Sequence, residues 1–508
     1  MADESRQARS RPALLGVVVE RPGVLVALGA LLAVAAFHLW VTPGNPPGFF
    51  RDEASISASA HALSESLRDE RGALLPLYLV SFEDYKSPIF VYVLAAVFRV
   101  TGPHASVARE LAAVSVLAAV VLLGLLAYRR TASGRVAVAV VVLAGITPWL
   151  YELGRVAFEV TMLPLFVCAL LLLLDGAARA GRHTAPRALA VGVALAAITY
   201  SYAAGRLLGP LCAAALLVFA GRGRWRWLAV AWGTYLAALV PLGAYWVRHP
   251  GALTARYEAT TFVTEGQSGL GVGWEAVRNY LTDVSLWRWM VDGDPKPYVH
   301  ASDYGALPAA VVLLALVGTV VVLARLRDDR WWRYVLAVTV LAPIPAALTE
   351  DRLHQLRLAP LPMLLLVLGI PALKLLLHPS RRAPALAAAL GLCALTVVQT
   401  VHWLDKYRES GPGRVELFEA GVAPLMEQVF APGAPVHVDF DDHQAQAHLR
   451  WGAVARGLPA SRVVVLPDGG VPPDGALVFG RFQQCDYTCV ELARWGDYWL
   501  ARAEVAAA

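Results

Sequence analysis

Pro88-Ile89-Phe90-Val91-Tyr92-Val93-Leu94-Ala95-Ala96-Val97-Phe98-Arg99-Val100 is an apolar stretch, too short to cross ~30 Å of hydrocarbon as a helix. Whether it crosses decides on which side of a membrane every later loop lies. Eleven other apolar runs surround it, at about Gly23 to Thr42, Val107 to Tyr128, Val136 to Leu150, Phe158 to Leu174, Ala188 to Ala203, Leu207 to Ala220, Trp227 to Val247, Ala306 to Leu323, Tyr334 to Leu348, Leu358 to Leu377 and Ala385 to Trp403. Several fall short of ~20 residues, so their ends extend into the flanks. If the Pro88 to Val100 stretch lies at the interface, five connectors share one side: Arg129 to Arg135, Asp175 to Arg187, Gly221 to Arg226, Arg325 to Arg333 and His378 to Pro384. They hold fifteen arginines against three acids, while the opposite short connectors hold four arginines, Arg155, Arg206, Arg352 and Arg357. Cytoplasmic loops are enriched in Arg and Lys, and this arrangement satisfies that rule throughout, whereas a crossing stretch would violate it at every later loop. The stretch is therefore an interfacial or re-entrant helix.

The fold class that follows is a polytopic α-helical membrane protein of about eleven transmembrane helices. A cytoplasmic tail (1–22) carries Arg6, Arg9 and Arg11. The transmembrane domain (23–403) has extracytoplasmic loops at 43–106 and 248–305, with interfacial helix in the first. A C-terminal extracytoplasmic segment (404–508) shows short strand-like runs at Val436 to Phe440, Val463 to Leu466, Ala476 to Phe479 and Tyr498 to Ala501, with a helix after Asp442, as a small α/β domain would. Composition agrees: of 508 residues, 57% are hydrophobic and 16% charged, and mean hydropathy is +0.53, whereas soluble domains carry roughly 25% charged residues. Net charge is +5, but the basic residues sit in short loops where orientation explains them, and no nucleic-acid motif is present. The first apolar run is long, lacks a cleavage site and reads as a signal anchor. No internal repeat or low-complexity tract is found.

The outward segments carry the chemistry. The first loop holds Phe49-Phe50-Arg51-Asp52-Glu53 at the start of a helix, where carboxylates are favoured whatever their role. Phe82-Glu83-Asp84-Tyr85-Lys86-Ser87 follows, readable also as a solvated turn. Arg155 with Glu159, Tyr200-Ser201-Tyr202 with Arg206, and Asp351 to Arg357 with His354 lie at the outer ends of later runs. Each arginine alone could be a snorkelling anchor. Gathered at one face, cations would clamp a phosphate and a carboxylate would accept a proton from a hydroxyl.

At these residues the chain resembles the GT-C class of membrane glycosyltransferases, in particular the protein O-mannosyltransferase and lipid A aminoarabinose transferase group. The matching stretches are Phe50 to Glu53, the Lys86-Ser87-Pro88 turn, Gly102 to Arg109, Pro148 to Glu159, Tyr200 to Arg206 and His354 to Pro362. The resemblance implies inverting transfer of a sugar from a polyprenyl-phosphate donor to a hydroxyl of a protein, lipid or cell-wall glycan, at the outer face of the cytoplasmic membrane. It implies Asp52 as general base with Glu53 supporting it or the acceptor. Lys86, Arg155, Arg206 and Arg357 would hold the donor phosphate, and Glu83, Asp84, Glu159, Tyr200, Tyr202 and His354 would contact substrate. Some members place a divalent metal near a first-loop carboxylate and a later histidine, for which Glu83, Asp84, His300 and His354 are the candidates; no nucleotide cofactor is implied.

Trp287-Arg288-Trp289 to Lys296 resembles a family segment that covers the site, although Trp287 and Trp289 also suit interface anchors. Asp439-Phe440-Asp441-Asp442-His443 evokes a nucleotide-sugar metal motif, but helix capping by Asp441 or Asp442 fits better. Cys168, Cys212 and Cys393 lie in apolar runs, while Cys485 and Cys489 are expected to pair as a disulfide outside the cytoplasm. Two other readings remain: a transporter or flippase for lipid-linked sugars, which would place ionisable residues mid-span, and a non-catalytic subunit binding wall polymers.

Overall fold

A computed structural model of the chain describes residues 22–504, apart from 42–43, 82–83, 181–183, 302, 379–382, 482–484 and 486. Among the described residues, helices of nine residues or more are numbered α1 Pro22–Trp40, α2 Arg51–Ser66, α3 Pro88–Thr101, α4 Ala105–Thr131, α5 Gly134–Gly145, α6 Leu163–Ala180, α7 Ala185–Ser201, α8 Gly205–Ala215, α9 Trp225–Ala238, α10 Val240–Arg248, α11 Gly269–Asp283, α12 Ala309–Val321, α13 Arg330–Leu341, α14 Leu361–Leu376, α15 Ala383–Gly413, α16 Val422–Phe430 and α17 His443–Val454. Each of the eleven apolar runs falls on one of these helices or on a consecutive pair. Five are long and apolar enough to cross a membrane by length and composition: Ala105–Thr131, Glu159–Ala178, Trp225–Arg248, Ala309–Leu326 and Ala383–Gly413. The third run breaks where Pro148 begins a separate short helix, Pro148–Leu153, because proline cannot continue the hydrogen-bond ladder of α5.

The Pro88 stretch is helix α3, 14 residues opened by Pro88 and stopped by Gly102 at φ 80°. At 1.5 Å per residue it reaches only about two-thirds of the ~30 Å hydrocarbon thickness. Its buried face, Phe90, Val91, Leu94, Ala95 and Phe98, packs with Ala54, Ile56, Ala60 and Leu63 of α2. Between α2 and α3 lies an antiparallel pair, β1 Leu79–Ser81 and β2 Asp84–Lys86, with Leu79 opposite Lys86. Asp84 to Lys86, read as part of a charged turn, thus form a strand that carries Lys86.

The main core joins α1, α4 to α9 and α12 to α14. Helices α12 and α14 cross closely enough that a Cβ on Gly318 would lie 1.8 Å from the carbonyl oxygen of Leu368. Trp289 is fully buried, 4.3 Å from the Trp149 ring, and its indole N–H donates to the Asp283 carbonyl at 2.7 Å. It is a core residue and not an interface anchor, whereas Trp287 is 69% exposed.

Beyond α15 the chain forms a five-stranded sheet in the order β4-β3-β5-β7-β6, where β3 is Val436–Val438, β4 Val463–Val465, β5 Leu477–Arg481, β6 Cys489–Trp495 and β7 Tyr498–Ala503. Strand β3 runs parallel to β4 and β5, and β7 antiparallel to β5 and β6. Helices α16 and α17 supply Leu425, Met426, Val429 and Leu449 to its core. Asp442 caps α17 by accepting from the Ala445 N–H at 3.0 Å and also accepts from the Arg481 N–H at 2.6 Å. Cys485 and Cys489 are joined as a disulfide. Strand β6 escapes sequence reading because Val490 and Leu492 are exposed and an irregularity between Glu491 and Ala493 separates them from Ala493 and Trp495, which pack on the core.

Candidate active site

Two adjoining cavities lie at one end of the helices, the end at which α2 begins. The first, of about 200 Å³, is lined by Arg51, Asp52 and Ile56 of α2, Tyr85 and Lys86 of β2, Glu159 at the entry to α6, Tyr202 after α7, Arg256, Tyr298 and His354, with Phe50, Phe158, Val160, Ala203 and Leu356 between them. The second, of about 290 Å³, is lined by Arg206, Arg256, Thr349 and Arg357 and by apolar Leu207, Leu253, Pro345 and Leu348; it shares Tyr202, Ala203 and Arg256 with the first. Together they present five cations, Arg51, Lys86, Arg206, Arg256 and Arg357, against the two carboxylates Asp52 and Glu159. That balance favours an anionic ligand with an apolar portion.

Asp52 sits in the first turn of α2, half-buried, with Lys86 Nζ 2.5 Å from its Oδ1. Burial alone would push this carboxyl up, but the Lys86 ammonium, with Arg256 and Arg51, holds it below its usual range, so at neutral pH it is a carboxylate able to accept a proton. Glu53 points the other way. It is fully buried, bound by Arg109 at 2.8 and 2.7 Å, and accepts the N–H groups of Phe50 at 3.0 Å and Ala157 at 2.8 Å. Both oxygens of Glu53 are engaged in holding the start of α2, and it lines neither cavity. Glu159 accepts the Ser87 N–H at 2.6 Å, locking the β2–α3 turn beside the cavity.

Arg206 donates to the Leu253 carbonyl at 2.7 Å and the Tyr85 carbonyl at 3.1 Å and lies 4.7 Å over the Tyr78 ring. Arg357 is bonded to Thr349 at 2.8 Å and Asp351 at 2.9 Å. Lys296, 3.0 Å from Asp351, and Arg357 offset the burial of Asp351 and hold its carboxyl low. His354 reaches the cavity because Asp294 orients it: Asp294 Oδ2 is 2.9 Å from His354 Nδ1 and accepts the Gln355 N–H at 2.7 Å.

Other expected residues stand elsewhere. Arg155 is held by the carbonyls of Asn45 at 2.9 Å and His38 at 3.1 Å and lines neither cavity. Its partners are the His38 carbonyl in the last turn of α1 and the Asn45 carbonyl ahead of α2, backbone groups that need a donor, so it ties these two segments together. Tyr200 donates its hydroxyl to the Ala238 carbonyl at 2.9 Å, tying α7 to α9, also outside the cavities. Glu83 and the side chain of Asp84 lie outside the described residues. His300 has both ring nitrogens bonded, to Glu152 at 2.6 Å and the Tyr304 carbonyl at 2.8 Å. Among the described residues no group of three or more His, Cys, Asp or Glu side chains is gathered.

Arg256, Tyr85 and Tyr298 line the first cavity without having been singled out in the sequence. Arg256 belongs to a four-residue helix, Ala255–Glu258, inside a loop with no motif around it. Asp294 had a weak signal, the Gly293-Asp294 pair.

No protein-family model matches the sequence, and no curated protein matches it. Solved structures do resemble the fold. The crystal structure of ArnT from Cupriavidus metallidurans bound to undecaprenyl phosphate superposes with a TM-score of 0.60 at 15% identity, over 96% of this chain and 98% of that one. Its apo form gives 0.58 at 15% identity, over 94% and 97%. The oligosaccharyltransferase AglB of Archaeoglobus fulgidus, in complex with an inhibitory peptide and a dolichol-phosphate, gives 0.51 at 12% identity, over 85% of this chain and 64% of that one. The chain therefore has the GT-C fold, as its residues suggested.

Proposed function

We propose that the chain is a membrane glycosyltransferase that moves a sugar from a polyprenyl-phosphate donor to a hydroxyl acceptor at the outer face of the cytoplasmic membrane, with inversion and with Asp52 as general base. The observation that carries this reading is the juxtaposition of an ionised carboxylate in one cavity with an arginine cluster in the next. Undecaprenyl phosphate and dolichol-phosphate are bound by the two solved proteins whose fold it shares, which supports a lipid phosphate as the anionic ligand.

In this mechanism Arg206, Arg256 and Arg357 hold the donor phosphate in the second cavity, and the apolar residues Leu207, Leu253 and Leu348 accompany the first part of the isoprenoid. The sugar occupies the first cavity among Tyr85, Tyr202, Tyr298 and His354. Asp52 takes the proton of the acceptor hydroxyl as its oxygen attacks the anomeric carbon, the bond from that carbon to the phosphate oxygen breaks, and polyprenyl phosphate leaves with the electron pair. Charge develops on the leaving phosphate, where fixed cations stabilise it most. Lys86 bridges the two functions, since its ammonium neutralises Asp52 in the free protein and can turn to the phosphate when donor enters. The eleven apolar runs are read as spans, with the arginine-rich connectors inside and the C-terminal unit outside.

The test is mass spectrometry of envelope glycans and polyprenyl-linked sugars in a strain lacking the gene, complemented by wild type or Asp52→Asn. One glycan should vanish on deletion while its polyprenyl-linked donor accumulates. Wild type should restore it, and D52N should not, while still binding undecaprenyl phosphate. Full restoration by D52N would remove the base assignment, and an unchanged glycan profile on deletion would remove the function.

A further inference from the structure

We propose that Glu419, in the segment leading into the C-terminal unit, is a positioning residue for Asp52: its carboxylate closes the N-terminus of α2 and thereby sets where Asp52 stands in the cavity. The proposal rests on the reading of Asp52 as the base.

The first turn of a helix leaves backbone N–H groups without intrahelical partners. In α2 the N-cap residue is Phe50, which offers no side-chain acceptor. The Phe50 N–H is taken by Glu53 at 3.0 Å, and the Arg51 N–H by Glu419 Oε2 at 2.9 Å, across 368 residues of sequence. A carboxylate at this position also faces the positive end of the helix dipole, which favours it. The Arg51 guanidinium bridges Glu419 Oε1 at 3.4 Å and Gln444 at 2.7 Å.

Glu419 is itself held on all sides. It is buried, with His448 Nε2 2.7 Å from Oε2 and the Tyr498 hydroxyl donating to Oε1 at 2.8 Å. Burial opposes its ionisation, but His448 and Arg51 overcome this and keep the carboxyl below its usual range. Its backbone has φ 55°, the left-handed region that costs a non-glycine residue energy and persists only where surrounding contacts enforce it. The enforcing contact is visible: Gly48, at φ +68, passes so close that a Cβ there would lie 2.2 Å from the Phe418 carbonyl oxygen and 2.6 Å from the Ala420 nitrogen. The chain entering α2 and the segment 418–420 are thus one packed unit.

No residue after Arg357 lines either cavity. The C-terminal unit packs on α2 through Trp451 and holds the residue preceding Asp52 through Glu419, so its effect on the chemistry is one of placement. Placement matters, since a displacement of about 1 Å in a reacting group can cost roughly a hundredfold in rate.

The experiment compares full-length wild type, Glu419→Gln, Gln444→Ala and Asp52→Asn by amide hydrogen exchange, by binding of undecaprenyl phosphate, and by restoration of the glycan in the deletion strain. In E419Q, exchange at residues 50–54 should rise at least tenfold with α4 unchanged, glycan restoration should fall at least tenfold, and the Kd for undecaprenyl phosphate should stay within twofold. Wild-type glycan levels in E419Q would overturn the proposal, as would loss of protection and of phosphate affinity throughout the molecule, which marks a merely structural role. Should E419Q not fold, the half-buried Gln444 tests the same bridge: Q444A should lose several-fold in glycan at unchanged Kd, and full activity overturns the proposal. An inactive D52N beside a fully active E419Q defeats the positioning role alone, whereas a fully active D52N defeats the reading beneath it.

Discussion

Asp52 and Glu53 are neighbours of the same type with opposite fates, decided by direction. Successive helix residues point about 100° apart, so one carboxylate enters the cavity and the other meets Arg109 in the core. In the proposed mechanism Arg357, bonded to Thr349 and Asp351 in this structure, turns to the donor phosphate. Arg357→Ala should therefore raise the Kd for undecaprenyl phosphate about 10- to 100-fold, the equivalent of a lost charge-assisted hydrogen bond of ~1.5–3 kcal/mol, as titration in detergent or nanodiscs would show; an unchanged Kd would remove Arg357 from the phosphate site. Asp283 offers a pH signature. Burial lifts its carboxyl from 3.8 to about 6, against the Leu353 N–H, Arg352 and Arg357. The folded state then binds the proton more tightly than the unfolded chain, so this group's contribution is fullest below about pH 3.8 and declines as pH rises through about 6, by up to ~3 kcal/mol. Thermal melts from pH 4 to 7 should show that decline in wild type and its absence in Asp283→Asn; parallel curves would refute it.

Among the elements, α3 does most to shape the site. It packs along α2 and directly follows the strand that carries Lys86, which keeps Lys86 beside Asp52. Its existence and its shortness, 14 residues from Pro88 to Thr101, were legible from the sequence alone. The hairpin was not, because three-residue strands leave no periodic pattern and Lys86 gains its direction only by pairing opposite Leu79. Helices α12 and α14 illustrate packing that a sequence does not announce: Gly318 is one of several glycines in apolar runs, yet only contact with Leu368 makes it irreplaceable. Gly318→Val should force the two helices apart at a cost of roughly 1–3 kcal/mol, lowering the thermal midpoint of the purified protein, while Gly29→Val, which meets nothing within 4 Å, should leave it unchanged. Equal effects of the two would show that the crossing is not tight.

At the scale of the molecule, ionisable groups separate toward the two ends of the helices. One end gathers the cavities, and the other is tied by Arg130, which bridges Asp175 at 2.6 Å and Asp329 at 2.7 Å and stacks 3.8 Å over Trp331. Such a distribution suits a transferase working at one face better than a carrier that moves its substrate through the midplane. The orientation is testable with single cysteines: Asp84→Cys and Lys296→Cys should react with an impermeant maleimide added to whole cells, and Arg224→Cys only after permeabilisation. The reverse pattern would invert the entire topology.

Hydropathy, run length and the placement of arginines are properties of neighbouring residues, so the sequence by itself determined the membrane class, the apolar helices, the expected sidedness and the prominence of Asp52. Which of the outward charges converge was decided by tertiary structure, because it depends on contacts between residues far apart in the chain. Arg256 entered the site from an unremarkable loop, Arg155 left it to brace backbone carbonyls, and Glu53 was buried against Arg109. The cap on the helix that bears Asp52 came from Glu419, a residue whose meaning exists only once the two ends of the chain are packed together.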